Sequence, residues 1–397
     1  MNNLPNDVFQ KCYDYERLDK VVKSGLYPYF VPLSGHVGAE MEIEGHSIIM
    51  LGSNNYLGLT DHPRVMEKAK EAIDKYGTGC TGSRFLNGTL DLHIELEERM
   101  AQFLNKEMVI TFSTGFQSNL GVISTIAGRN DIIYLDRLDH ASIIDGSRMS
   151  FGRVLKYRHN DHEHLKYLLE NNREHPGVIV TDGVFSMEGD LANIPGLVEI
   201  SREFGVRLMV DDAHGVGAMG AAGRGTAEHF GCHDDVDLLV GTFSKSFACV
   251  GGFAAGPARV MDYIKHTART MIFSASLPPA AVATVIAALD VLEQEPELIA
   301  NSHKAAERAR QGLASLGFNV GNSETPIIPI IVGDEYQTLL FWKRLFQEGV
   351  FANPVISPAV ASGGEMLRTS YMATHTDDMI DRALDIFEKC GKELDLI

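Results

Sequence analysis

Short apolar runs alternate with helix-length amphipathic stretches through the middle of the chain. The runs cover residues 108–112, 132–135, 178–181, 207–210, 238–241 and 252–255. They are nearly continuous in apolar side chains instead of alternating, the pattern of strands covered on both faces, as in a parallel sheet. Helical periodicity is clearest over 63–75, 92–104, 196–204 and 278–294. The pattern predicts an α/β fold with a large, mostly parallel-sheet domain over 60–290. A charged helix over 305–316, strand-like stretches at 327–332 and 367–371, and a closing helix over 376–394 predict a smaller α+β domain over 291–397. Residues 1–59 read as an arm and a short strand pair, 40–44 and 46–50, turning at Gly45.

The length of 397 residues fits two packed domains. A composition of 45% hydrophobic and 22% charged residues is that of a globular protein. No apolar run approaches the ~18–20 residues that span a bilayer. The first twenty residues are polar and charged with no apolar centre, so a cleaved secretory leader is not expected. A net charge of −18 argues against nucleic acid as a partner. Any anionic ligand must therefore be held by a local site working against the global field. The five cysteines, Cys12, Cys80, Cys232, Cys249 and Cys390, include no C-x-x-C pair. A disulfide framework and a zinc site are both poorly supported, and a cytoplasmic location is expected.

In open parallel sheets, ligands bind beyond the carboxyl ends of the strands. The residues there are Ser113-Thr114-Gly115-Phe116-Gln117 after 108–112, and Asp136 then Asp139-His140 after 132–135. Asp182 and Ser186 follow 178–181; Asp211, Asp212 and His214 follow 207–210; Thr242, Ser244 and Lys245 follow 238–241. One such strand end arises easily by chance, but five in succession do not.

Lys245 is the informative residue. Most lysines lie on the surface, but this one follows an apolar strand and stands between Ser244 and Ser246. A lysine desolvated beside a cationic ring has a lowered pKa and can form a Schiff base. The G-x-x-x-x-G-K-[ST] phosphate loop is absent. A carboxylate at Asp211 can pair with a protonated pyridine nitrogen, the partner that pyridoxal phosphate requires; the bland alternative is an N-cap aspartate. His214 can reach a phenolic oxygen, and His140 can stack on a ring face. Gly115 and Phe116 open a predicted helix, whose free N–H groups and dipole make a phosphate seat. Gly215, Gly217 and Gly220 match a dinucleotide fingerprint, but a lone match on the wrong strand is weak.

Asp211-Asp212-Ala213-His214-Gly215 and Gly241-Thr242-Phe243-Ser244-Lys245 resemble the α-oxoamine synthases, which are fold-type I, aspartate aminotransferase-like pyridoxal 5'-phosphate enzymes. Gly52-Ser53-Asn54-Asn55-Tyr56-Leu57-Gly58-Leu59, Asp139-His140-Ala141-Ser142 and Phe185-Ser186-Met187-Glu188-Gly189-Asp190 extend the resemblance over most of the chain. It implies that Lys245 carries the cofactor and Asp211 pairs its ring nitrogen. It also implies that His140 stacks on the ring, while His214, with Ser186 nearby, faces the ring oxygen. Gly115, Phe116, Thr242 and Ser244 are then the phosphate ligands, with Ser274 and Ala275 completing the cofactor site and Ser274 reaching across a homodimer interface. Asn54 and Arg368 are the candidates for the substrate carboxylate, with Arg84 the fallback, and no metal is implied.

A closer match, through Tyr27-Pro28-Tyr29-Phe30, Arg84-Phe85-Leu86-Asn87-Gly88 and Phe351-Ala352-Asn353-Pro354-Val355, is to the branch that condenses L-serine with a long-chain acyl-CoA. That branch implies acyltransferase activity in a homodimer with shared active sites, no transmembrane segment, and room for peripheral membrane contact. Sister branches using glycine or alanine remain open, as do a silent subunit of the same fold and a nicotinamide-dependent oxidoreductase. The stretch from Ser357 to Glu365 departs from the family pattern, lacking the basic residue relatives often carry there.

Overall fold

The computed structural model describes residues 6–43 and 45–397. After two short arm helices, α1 (Gln10–Tyr13) and α2 (Glu16–Lys23), come β1 (Glu40–Ile43) and β2 (His46–Met50). These form the expected antiparallel pair; Glu44, expected to end its first strand, lies outside the described residues. Helices α3 (Pro63–Tyr76) and α4 (Asp91–Phe103) lead into the main sheet. Its strands are β3 (Met108–Phe112), β4 (Ile132–Asp136), β5 (Arg153–Tyr157), β6 (Gly177–Asp182), β7 (Arg207–Asp211), β8 (Leu238–Thr242) and β9 (Gly252–Gly256). The order is β3-β9-β8-β7-β6-β4-β5. All neighbours pair in parallel except β9, which is antiparallel to both β3 and β8.

The packing explains why the strands read as continuous apolar runs. In β4, Ile132 and Tyr134 enter the core on one face, while Ile133 and Leu135 enter the core on the other. Both faces are dry, so no polar alternation survives. Helices α5 (Gly115–Ile126) and α6 (Ala141–Met149) cover the second face; the helices Ile194–Phe204 and Pro279–Gln294 cover the first. Strand β5 has no such apolar run and escapes the pattern because it is an edge strand, with exposed Arg153 and Lys156 on either side of half-buried Val154 and Leu155.

The C-terminal part has its own antiparallel sheet, β10 (Ile327–Ile331), β13 (Met366–Ser370) and β12 (Asn353–Val355), in the order β10-β13-β12. Helices Glu297–Leu316, Glu335–Glu348 and Asp377–Glu393 pack on it. The helix Glu335–Glu348 is not among the expected elements, although Thr338, Phe341, Trp342 and Leu345 are buried at helical spacing; it starts at Asp334, whose side chain accepts the Gln337 amide at 2.9 Å. The chain before the large sheet is bound into this core. Strand β2 pairs in parallel with β11 (Val350–Phe351), and Ile49 and Leu51 lie in the C-terminal cluster. The Ser370 amide donates to the Leu51 carbonyl at 2.7 Å, and the Ala373 amide to the Tyr56 carbonyl at 2.8 Å. These bonds bring Asn54 and Tyr56 to the end of β13. Among the described residues, no helix is long and apolar enough to cross a membrane.

Candidate active site

Strand β7 ends in two aspartates that point in opposite directions, as neighbouring strand residues must. Asp211 lines a cavity of about 330 Å³ at the carboxyl edge of the sheet, with Lys245, His140, His214, Ser186 and Asp182. Asn119 of α5 donates to Asp211 Oδ2 at 2.5 Å, and the Ala213 amide donates to Oδ1 at 3.0 Å. Asp212 turns inward, where its Oδ2 accepts the Thr226 amide at 2.6 Å. Burial pushes its carboxyl up to about 7. A Cβ on Gly215 or Gly225 would come within 1.9 Å of Asp212, so both positions need glycine for close approach.

Strand β8 delivers Thr242, Ser244 and Lys245. Burial lowers the Lys245 ammonium to about 8; Asp211 and Asp182 oppose the shift, and the Arg368 charge adds to it. At neutral pH a useful fraction of the amine is therefore unprotonated.

His140 caps α6, with Nδ1 accepting the Ser142 amide at 3.2 Å. Its own amide donates to Asp182 Oδ2 at 2.7 Å, and the Asp182 amide donates to Asp139 Oδ1 at 3.0 Å. This clip ties the ends of β4 and β6 together and fixes the height of the His140 ring. Burial holds His140 below its ordinary range, with Asp211 opposing, so it is a neutral ring. Burial, together with the charges of neighbouring carboxylates, holds Asp139 and Asp182 well above the usual carboxylate range.

His214 is depressed well below its usual value by burial and by the Lys245 and Arg368 charges. Its Nδ1 lies 2.7 Å from the Tyr56 hydroxyl. Burial pushes Tyr56 up to about 12, so it remains a phenol and donates. With the phenol hydrogen on the short contact to His214, and not on Asn54 Oδ1 at 3.3 Å, the imidazole hydrogen is on Nε2. Tyr56 lies in a segment that matches the family, but its own neighbours in sequence give it no role; its link to His214 is a tertiary contact with no local signal.

Thr114 caps α5 by accepting the Gln117 amide at 3.1 Å. A Cβ at Gly115 would lie 2.7 Å from Thr242 Cβ, so the approach of β8 to the helix start requires a bare backbone. The Thr242 and Ser244 hydroxyls are 2.8 Å apart beside it. Free N–H groups, two hydroxyls and a helix dipole at one end of the cavity make an anion cradle. Phe116 meets His140 edge-on at 6.4 Å.

Arg368 lies at the centre of β13 and is only 4% exposed. It is therefore not a solvent-exposed arginine on an edge strand. Its Nε donates to the Ser186 carbonyl, Nη1 to Ser370 Oγ at 2.8 Å, and Nη2 to Asn54 Oδ1 at 2.9 Å. Among the described residues it forms no ion pair with a carboxylate. Arg84 differs: it is also buried, but forks onto Glu97 at 2.6 and 3.0 Å. Arg84 is therefore already neutralised and drops out as the carboxylate fallback. Ser274 and Ala275 are not among the residues lining the protomer's own cavity. Ser274 accepts from Gln117 Nε2 at 2.9 Å, and the Ala275 carbonyl accepts from Ser113.

A charged clamp with no signature in the sequence sits behind the cavity. His159, just past the edge strand β5, donates from Nδ1 to Asp136 at 3.1 Å and from Nε2 to Asp190 at 2.8 Å. Its ring meets Phe185 edge-on at 4.4 Å, so the clamp braces the turn that carries Ser186. Burial opposes the imidazolium, but the bonds to Asp136 and Asp190 outweigh it and raise His159 from 6.5 to about 10. The extra stability is complete below about 6.5 and is lost as pH rises through about 10. Breaking such a pair typically costs about 3 kcal/mol or more. His159→Gln is expected to lose that amount and to flatten the decline of stability across this window. Parallel denaturation curves for the two proteins from pH 6 to 10 would contradict the clamp.

Residues 46–387 match the profile of the family described as aminotransferase class I and II. The chain belongs to that family. Its relatives place it in the α-oxoamine synthase branch. It is 52% identical to a serine palmitoyltransferase of Sphingobacterium spiritivorum over 98% of this chain and 97% of the other. It is 42% identical to an 8-amino-7-oxononanoate synthase of Thermoanaerobacter pseudethanolicus, over 96% and 97% of the two chains. Among solved structures it superposes with a TM-score of 0.95 on a lysine-to-alanine variant of the S. paucimobilis serine palmitoyltransferase, with a PLP–myriocin aldimine bound. That match is 34% identical and covers 98% of this chain and 100% of the other.

Proposed function

We propose that this enzyme condenses L-serine with palmitoyl-CoA or a similar long-chain acyl-CoA, releasing CO2 and CoA and giving 3-oxosphinganine. The cofactor is pyridoxal 5'-phosphate. The observation that carries the reading is Arg368, a buried guanidinium with no acidic partner among the described residues, beside a cavity that holds a desolvated lysine and a buried aspartate. The full-length likeness to serine palmitoyltransferases supports the same reaction.

The residues fit the cofactor. The Gly115 cradle, with Thr242 and Ser244, suits its phosphate; Asp211 suits a protonated ring nitrogen; Lys245 suits its aldehyde. When bound, the cofactor supplies an electron sink for carbanion chemistry at the amino acid. The protein's part is orientation and proton handling. Asp211, fixed by Asn119 and the Ala213 amide, holds its charge on the ring-nitrogen side. His140 presents a neutral face, and His214, oriented by Tyr56, offers an Nε2 hydrogen to an oxygen. Lys245 Nζ takes and returns the serine α-proton. Arg368 grips the serine carboxylate with two parallel hydrogen bonds, aided by Asn54. That grip would fix the orientation of the serine α-carbon and so which of its bonds is broken.

Arg368→Ala should weaken serine binding by about 10- to 100-fold, the usual range for a charged hydrogen bond. Arg368→Lys should recover part of it, since lysine lacks the planar fork. A serine titration followed by absorbance reads both; an unchanged serine dissociation constant would move the role to Asn54.

We place two such sites in a homodimer in the cytoplasm. Leu86 is 77% and Phe273 74% exposed, on segments joined by the Ser276 amide donating to the Gly82 carbonyl at 3.0 Å. Apolar side chains clustered in this way ask for a partner surface. Ser274, on the same segment, is then available to a neighbour's phosphate. Sedimentation should give an active species of twice the chain mass; an active monomer would refute the shared site. All five cysteines stand free, which suits a reducing compartment. Product formation from a panel of amino acids and acyl-CoAs tests the whole reading: serine with long chains should lead, and a lead by alanine or glycine would favour a sister branch.

A further inference from the structure

A second cavity, of about 520 Å³, lies beyond the cofactor cavity, between the N-terminal arm and the C-terminal part. Its walls include Leu18 and Val21 of α2, Leu339, Val355, Ile356 and Met187. Met187 follows Ser186, which lines the first cavity and whose carbonyl receives Arg368. The two cavities therefore sit on either side of one short stretch of backbone. The one charged group on the wall, Arg17, is already bound to Glu335 at 2.8 Å and to the Ser357 carbonyl at 2.9 Å. These two contacts hold α2 in place, and Val21 packs against the cluster of Leu26, Leu339 and Ile356.

We propose that this second cavity seats the fatty acyl chain of the thioester, and that helix α2 sets which chain lengths are accepted. This rests on the acyl-CoA reading above. The occupant is largely apolar, because aliphatic side chains make up most of the wall and its one charged group is paired, while Tyr15, Tyr27, Tyr29 and Ser357 leave hydroxyls for a polar end such as a thioester. It must also be joined to a group reacting near Arg368, because the cavity borders that site. The size lies within the range of ligand pockets. Helix α2 has no buried residue of its own, and Leu18 remains 41% exposed, so the arm has apolar surface to place against a chain. Each methylene buried there strengthens binding by about fourfold, so a wall that shortens the cavity discriminates steeply between chains.

The test measures kcat/KM of the holoenzyme with serine across saturated acyl-CoAs of increasing length. Leu18→Trp should move the optimum to shorter chains and lower the rate with the longest by about tenfold or more. Leu18→Ala should flatten the profile or extend it to longer chains. The serine-induced absorbance change, which should be unaltered in both, reports that the site is intact. If the tryptophan variant fails to fold, the alanine variant decides by itself. Profiles that overlay the wild type in a variant with intact serine binding would overturn the assignment while leaving the reaction in place. No product from the wild type with any acyl-CoA would overturn both.

Discussion

Lys245→Ala is expected to abolish borohydride-fixed labelling of the chain by the cofactor and to reduce turnover by well over the roughly 10²–10⁴-fold that general acid–base work contributes. The loss exceeds that range because one residue does two jobs: covalent tethering, and proton transfer at the α-carbon. Its environment supports both. The ammonium stands half-buried at the cavity wall, and its desolvation brings it down to about 8 although Asp211 and Asp182 pull the other way. The neutral amine is the nucleophile, so its fraction rises with pH through about 8 instead of the ordinary 10.5. Reconstitution of the apoenzyme should follow the same curve, with cofactor attachment accelerating from pH 7 to 9 and then levelling. Label recovered on another lysine, or a rate still rising steeply above pH 10, would remove Lys245 from the role.

Asp211→Asn should reduce turnover by about 10²- to 5 × 10³-fold, the equivalent of breaking a buried charge pair, for which about 3–5 kcal/mol is typical. An amide retains the hydrogen-bonding shape but carries no charge for a protonated ring nitrogen. Asp212→Asn is the control. That side chain faces Thr226 and the glycines, not the cavity, and burial has already brought it up to about 7, so the neutral form is half populated at neutral pH. Its substitution should change stability more than turnover. Equal activity losses in the two variants, or the reverse order, would show that Asp212 and not Asp211 alone serves the cavity.

The two aspartates also show how far a sequence reaches. Periodicity determined that 207–210 is a strand with both faces buried, and the residues after it must then stand at the sheet's carboxyl edge. Alternation required that only one of Asp211 and Asp212 face the ligand. The same reasoning located Thr242, Ser244, Lys245, His140 and Gly115, because each lies within a few residues of a strand end and its placement is a local consequence of chain direction. Family likeness, not period, selected Asp211 over Asp212.

Tertiary structure alone decided what depends on segments distant in sequence. Asn54, Ser186 and Arg368 meet because β2 joins the C-terminal core and the His159 clamp braces the turn at Ser186. Nothing local to Arg368 distinguishes it from Arg84, yet Arg84 is neutralised by Glu97 while Arg368 meets no acid among the described residues. Tyr56 acquires its function from His214, and α2 acquires a cavity from Leu339 and Ile356. Local pattern records whether a side chain will be buried, since burial follows from the faces of its own element. It does not record which charge will be left without a partner, since that is set by what the rest of the fold brings within a few ångströms.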